Sequence, residues 1–329
     1  MRVFIAGASG AIGTRLIPQL VDRGHEVIGT ATSVKSAERV RQLGAKPVRL
    51  NLLDAQAVRK AVLGAAPDAI VHEATALANA KFTRNLDKSF VTTNRLRTEG
   101  TDALLAAGRE AGVSRYVAQS FASYRGIREG GMVKTEDDPV DPNPPATMRE
   151  SWAAMTHLEE EFTAAGGIVL RYGVFDGDPS DDLIEPVRKR QFPIIGDGGG
   201  MMSWIHLDDA AAATVIALER EGPNIYAIVD DEPAPVREWL PVLAESLGAK
   251  PPRHFPRWVA RLVAGEAAAM LGTEARGASN AKAKRELGWE PRYATWRQGF
   301  PAVYAASAPA ITATPASPSG PRRSAAPSR

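Results

Sequence analysis

Eleven residues near the start constrain what the rest of this chain can fold into. Val3-Phe4-Ile5-Ala6 is a short apolar run of strand character, Gly7, Gly10 and Gly13 follow it at intervals of three, and the amphipathic segment Thr14–Arg23 begins at once. A buried strand that turns on glycine straight into a helix presents free N–H groups and the positive end of a dipole to an anion. Gly7 makes the turn, Gly10 lets the backbone approach a pyrophosphate, and Gly13 lets the helix settle on the sheet, with Ser9, Ala11 and Ile12 completing the loop. The spacing is G-x-x-G-x-x-G, one residue longer than the common G-x-G-x-x-G fingerprint. A dinucleotide is the ligand this arrangement suits.

The chain then repeats the same unit. Apolar runs at Glu26–Gly29, Pro47–Leu50, Ala69–His72, Tyr116–Gln119 and Ile168–Tyr172 read as strands. Helical stretches lie between them at Val34–Leu43, Ala55–Leu63, Asp87–Ala111 and Met148–Ala165. Such alternation predicts an α/β fold, a doubly wound parallel (Rossmann) sheet, over residues 1–175. From 176 to 300 loops rich in Gly, Asp and Pro mix with a few helices, which suggests a smaller substrate-binding lobe with segments returning to the sheet. Residues 301–329 hold six Pro and few large apolar side chains, and are expected to be a disordered tail.

Composition excludes several classes. There is no Cys among 329 residues, so disulfides, thiolate metal sites and a Cys nucleophile are ruled out. Five His at 25, 72, 157, 206 and 254 lack metal-ligand spacing, and no metal is expected. The net charge is only +2, and the tail carries three Arg without an acid, so nothing points to nucleic acid. No apolar run is long enough to span a membrane, and Met1-Arg2 leads directly into the first strand. The expected setting is the cytoplasm, with a small-molecule partner.

The second strand runs out through Thr30-Ala31-Thr32-Ser33, and the next acid is Glu38. An enzyme selective for NAD usually places Asp or Glu here to bind the ribose 2′-hydroxyl. Hydroxyls at Thr32 and Ser33 with Lys35 nearby suit a 2′-phosphate better. The expected cofactor is NADP, with NAD as the alternative.

Together these motifs resemble an extended, atypical short-chain dehydrogenase/reductase of the NAD-dependent epimerase/dehydratase family, over roughly residues 1–300. Asn51-Leu52-Leu53-Asp54 is similar to the segment that contacts adenine, and His72-Glu73-Ala74-Thr75-Ala76 to the stretch passing under the cofactor. The resemblance assigns cofactor contacts to Asn51, Leu52, Ala74, Thr75 and Ala76, a supporting role to Asn94, and a place on the strand leading to the nicotinamide to Tyr172. Gln119-Ser120-Phe121-Ala122-Ser123-Tyr124 resembles the fifth-strand segment that puts Ser120 at the family's catalytic serine. Trp204-Ile205-His206-Leu207-Asp208-Asp209 and the Leu287-Gly288-Trp289-Glu290-Pro291 element resemble motifs of the small lobe, where the Gly196–Trp204 run is expected to border the substrate.

One departure stands out. The family's Tyr-x-x-x-Lys should open the helix after Asn143-Pro144-Pro145, but no Tyr lies between 125 and 171, and no tyrosine has Lys four residues on. Tyr124 and His157 are then the candidate proton donors beside Ser120. Glu159-Glu160-Glu161 reads as a solvated helix face, with room for one acid turned inward. The expected function is an NAD(P)-dependent oxidoreductase acting on a small, mainly apolar carbonyl or hydroxyl compound. A nucleotide-sugar epimerase/dehydratase and a non-catalytic NADP-binding regulator are the alternatives. A homodimer is expected through the helices at 87–111 and 148–165, with Leu104, Leu105, Trp152, Met155 and Phe162 as apolar material.

Overall fold

Val3 and Ile5 bury on one face of the first strand and Phe4 and Ala6 on the other, all without solvent exposure. A strand apolar on both faces belongs in the middle of a parallel sheet covered twice. The computed structural model, which describes residues 1–79, 83–122, 126–178 and 183–304, has that sheet. Its strands are β1 (Arg2–Ala6), β2 (Glu26–Ala31), β3 (Lys46–Arg49), β4 (Ala69–His72), β5 (Arg115–Phe121), β6 (Ile168–Tyr172) and β7 (Asn224–Ile228). They run in the order β7-β6-β5-β4-β1-β2-β3, every pair parallel.

Helices cover both faces. On one lie α1 (Ala11–Asp22) and α2 (Val34–Gln42), and on the other α3 (Ala55–Ala65), α4 (Thr101–Ala111) and α5 (Arg149–Ala164). The first layer is completed from far along the chain by α6 (Leu207–Leu218), which packs on α1. The strand order reverses between β1 and β4, and Ala6 pairs with His72 at their carboxyl ends. That reversal is where open α/β sheets bind ligands.

The smaller part has its own core around Trp204, Trp239, Trp296 and Phe300. Its helices include α7 (Val236–Ser246), α8 (Arg257–Val263), α9 (Glu266–Thr273) and α10 (Trp296–Tyr304). Residues 207–228 and 283–289 return to the sheet's core.

Three expectations need correction. The helix expected at Asp87–Ala111 is broken into Leu86–Ser89, Val91–Arg95, a π turn at Leu96–Gly100 and then α4. The His72 ring lies 3.2 Å from the Leu96 carbonyl oxygen, a sideways contact that suits a widened turn. The segment from 301 does not leave the fold at once. Pro301–Tyr304 finish α10, with Tyr304 only 2% exposed, and the rest of the expected tail, 305–329, lies outside the described residues. Trp204 borders no ligand surface, because it is buried edge-on against Trp239 and Phe300. Among the described residues, no helix is long and apolar enough to cross a membrane.

Candidate functional site

Gly7 follows β1 with φ +92°, a region that side chains rarely adopt, and a Cβ there would stand 2.6 Å from the Glu73 and Ala74 backbone. Its N–H is held by the Thr30 hydroxyl at 3.0 Å, an anchor on β2 that the glycine pattern alone did not reveal. At Gly13 a Cβ would come within 2.4 Å of the Ala8 carbonyl oxygen, so only glycine lets α1 approach the loop so closely. The N-cap of α1 is Gly10, and no side chain caps it. The first-turn N–H groups are therefore left for an external anion. This backbone cradle fits the pyrophosphate of a nicotinamide dinucleotide.

The expected contacts gather round it unevenly. Gly7, Ser9, Gly10, Ala11, Ile12 and Gly13 form the turn and the start of α1, with Ile12 buried beneath it. Thr32, Ser33 and Lys35 are exposed at the end of β2. Ser33 also caps α2 by accepting from the Ser36 N–H at 3.1 Å. The first acid beyond them, Glu38, pairs with Arg41. Asn51 is exposed, and its side chain accepts from Leu53 N–H at 3.1 Å, which shapes the turn after β3, while Leu52 packs into the core below. Ala74, Thr75 and Ala76 leave β4 beside Gly7, and the Ala76 N–H is held by Thr93 Oγ1.

Beneath the cradle lies a buried polar group that sequence reasoning missed. Glu73 is 5% exposed, and desolvation pushes its carboxyl up to about 8, so it is neutral at pH 7. Its Oε1 accepts from the Tyr172 hydroxyl at 3.2 Å, and that hydroxyl also lies 2.6 Å from Thr214 Oγ1. Tyr172, expected on the strand leading to the nicotinamide, ends β6 with its side chain fully buried and turned to Glu73 and Thr214. His72 is likewise structural. Burial lowers its pKa to about 4, and its Nδ1 accepts from the Ala74 N–H, which leaves the proton on Nε2, facing Leu96.

At the end of β5, Ser120 is buried and donates its hydroxyl to Glu159. Glu159 is gripped on its other side by Arg171, at 2.7 Å to one oxygen and 3.1 Å to the other. The serine proton is thus engaged inside the chain. Of the three glutamates in the run, Glu159 is the one that faces inward. Counting back from it by one and two turns along α5 gives Met155 and Ser151, both buried. No tyrosine or lysine stands on this face. Ser151 instead donates to Asp87 Oδ1 at 2.7 Å and accepts from Asn94 Nδ2 at 3.2 Å. Asp87 also takes the Glu150 and Ser151 N–H groups, and Asn94 Oδ1 has no partner among the described residues.

His157 projects elsewhere. It lies 2.8 Å from Asp102 of α4, partly exposed, and is not brought together with Ser120. Tyr124 lies outside the described residues. Among the described residues, no group of His, Cys, Asp or Glu could hold a metal ion. Leu104, Leu105, Trp152, Met155 and Phe162 are all buried within the chain, so none of them offers an apolar face to a second copy.

A sequence profile of the NAD dependent epimerase/dehydratase family matches residues 3–228. The chain is 38% identical over 315 residues to the 3-diazoavenalumate denitrifying reductase of a Streptomyces species, covering 91% of this chain and 99% of that protein. It is 29% identical over 333 residues to the 4-hydroxy-2-methyl-3-oxo-4-farnesyl-3,4-dihydroquinoline-1-oxide ketoreductase of Stigmatella aurantiaca, covering 92% and 96% respectively. The fold is similar to that of dTDP-glucose 4,6-dehydratase from Streptomyces venezuelae, with a TM-score of 0.71, 23% identity, and 92% of this chain and 96% of that one covered.

Proposed function

The chain belongs to the NAD-dependent epimerase/dehydratase family, and on that premise we propose that it is a reductase preferring NADP(H), acting on a small, mainly apolar substrate. It is an oxidoreductase that uses a nicotinamide dinucleotide. The finer reading rests above all on the end of β2, where exposed Thr32, Ser33 and Lys35 stand with no free carboxylate among them. A 2′-phosphate meets two hydroxyls and a cation there. A bare ribose lacks its usual acidic partner.

A nicotinamide cofactor held here would supply or accept the hydride. The protein's share is to hold the pyrophosphate at Gly7–Gly13, to keep Asn51, Leu52 and Ala74–Ala76 along the nucleotide, and to keep the reacting end dry. Asn94 supports the start of α5 through Ser151. Ser120, fixed by the Glu159–Arg171 pair, is the polar group nearest in sequence to the strand end where a substrate oxygen would lie. Tyr124, four residues further on, is the proposed proton donor. His157, paired with Asp102, is not.

The two reductases named above support reduction over epimerisation. So does the stretch before Trp204, which has no cation for a sugar-linked diphosphate. The basic residues that precede it in sequence are engaged elsewhere: Arg188 and Lys189 reach Glu185, and Arg190 reaches the Pro251 carbonyl. The test is NADPH consumption across a panel of aryl and alkyl ketones, with UDP-, GDP- and dTDP-sugars in parallel. Turnover of the ketones without measurable binding of the sugars is expected. Submillimolar affinity for any of the sugars reverses the reading.

A further inference from the structure

Large apolar side chains left in water mark a contact surface when they cluster. Nine are exposed among the described residues, and four of them, Phe255, Trp258, Leu262 and Val263, fall between 255 and 263. The other five tryptophans are buried, whereas Trp258 is 67% exposed and Leu262 66%. Successive helical residues turn by about 100°, so Trp258 and Leu262 stand about 40° apart on α8 and about 160° from Ala260. Ala260 is the residue that α8 buries. The helix thus lies with its small side chain down and its largest apolar ones up, the reverse of a helix packed into a core. Its place is fixed, because His254–Phe255 pairs with Ile194–Ile195 and α8 packs on α9.

Charge decides what covers this ridge. From Glu245 to Glu266 the chain carries Lys250, Arg253, Arg257 and Arg261 and no acid. Glu274 holds Arg257, Glu266 lies 3.7 Å from Arg261, and Asp197 on the adjoining turn accepts from the Gly199 N–H. Lys250 and Arg253 are exposed and have no carboxylate partner among the described residues, and Arg190 reaches only the Pro251 carbonyl. A second copy meeting the ridge across a two-fold axis would set these cations against their own images. Residues 305–329 carry three Arg, no acid and one large apolar side chain, Ile311, so they complement neither the charge nor the apolar face. An anionic lipid surface complements both.

We propose that α8 and the turn before it form an interfacial anchor that docks the chain on an anionic bilayer. Trp258, Leu262 and Val263 enter the headgroup–acyl boundary, a depth that suits the amphipathic indole. Arg257 and Arg261 stand to one side of Trp258, about 60–100° round the helix, where their stems lie along the apolar ridge and their heads reach the headgroups. No segment crosses the bilayer. The proposal does not depend on the reductase reading.

The test is co-sedimentation of the full chain with phosphatidylcholine vesicles, with and without phosphatidylglycerol, while tryptophan emission is followed. Binding to the anionic vesicles is expected to be about tenfold tighter than to the neutral ones, to weaken with salt, and to shift the emission to the blue. Trp258→Ser with Leu262→Ser should lower it about tenfold and abolish the shift, with the urea midpoint and NADPH affinity unchanged. Lys250→Gln with Arg253→Gln should lower it severalfold on anionic vesicles alone. Absence of vesicle binding, equal binding to both compositions, or indifference to the Trp258 and Leu262 changes overturns the proposal. So does polyglutamate binding as tightly as the vesicles, which would assign the ridge to an acidic protein. A dimer in solution that the Trp258 and Leu262 changes dissolve would assign it to a second copy, and overturns the proposal as well.

Discussion

Replacing Glu73 by Gln should stabilise the protein at alkaline pH and hardly change it in acid. The carboxyl is buried beneath the glycine loop, one oxygen near Tyr172 and the other without a partner among the described residues, and desolvation raises its pKa from 4.5 to about 8. Below pH 4.5 the group is protonated in both folded and unfolded chains, and the folded state bears no penalty. Between 4.5 and 8 the unfolded chain releases the proton while the folded one keeps it, so stability falls as pH rises. Above 8 both states are ionised and the slope vanishes. At about 1.4 kcal/mol per pH unit, the cumulative loss is on the order of 5 kcal/mol. A Gln amide keeps the shape and can still accept from Tyr172, yet carries no proton to lose. Asp230 is also raised, by burial, to about 8, but its contribution is common to both proteins and cancels in the difference. Urea denaturation at pH 5 and pH 9 reads the effect directly. The variant should match the wild type within about 1 kcal/mol at pH 5 and exceed it by several at pH 9. Parallel pH profiles for the two proteins would refute the claim that Glu73 is buried in its neutral form.

Other outcomes follow from the same geometry. Arg171→Met leaves the Glu159 carboxylate buried without its cation and should cost roughly 3–5 kcal/mol, read as a lowered urea midpoint. Gly13→Ala forces a methyl into the Ala8 backbone, and should lower both the melting temperature and NADPH affinity, whereas Gly64→Ala, with open space around its Cβ, should do neither. His157→Ala removes a partly exposed pair with Asp102, so it should cost at most about 1 kcal/mol and keep turnover within about twofold of wild type. A hundredfold loss would return His157 to the proton-transfer step. A homodimer through α4 and α5 would have to meet through their polar outer faces, and light scattering at micromolar protein decides whether it forms.

The sheet and the cradle were legible in the sequence because their signals are local. An apolar run, three glycines and an amphipathic helix need only neighbours in the chain to be read. The alternation that put Val3 and Ile5 opposite Phe4 and Ala6 is of the same kind. The polar centre was not legible, because its members meet only through the fold. Glu159 stands in a run of three acids, and only its register with Met155 and Ser151, one and two turns before it, marks it as inward. Arg171 and Ser120 lie on neighbouring strands, 51 residues apart in sequence but paired in register. Glu73 sat in a recognisable motif, yet its burial depends on Tyr172 and Thr214 arriving from two other elements. The broken helix at 86–111 escaped because the contact at Leu96 comes from His72 on β4.

A glycine cradle joined to a phosphate-accepting end of β2 makes cofactor titration the decisive measurement. Purified full-length chain is titrated with NADPH and NADH, in wild type and in a Lys35→Ala variant. NADPH should bind the wild type at least tenfold tighter than NADH, about 1.4 kcal/mol, and Lys35→Ala should shrink that ratio without weakening NADH. NADH binding tenfold tighter than NADPH, or a ratio indifferent to Lys35, would mean that the end of β2 does not receive a 2′-phosphate.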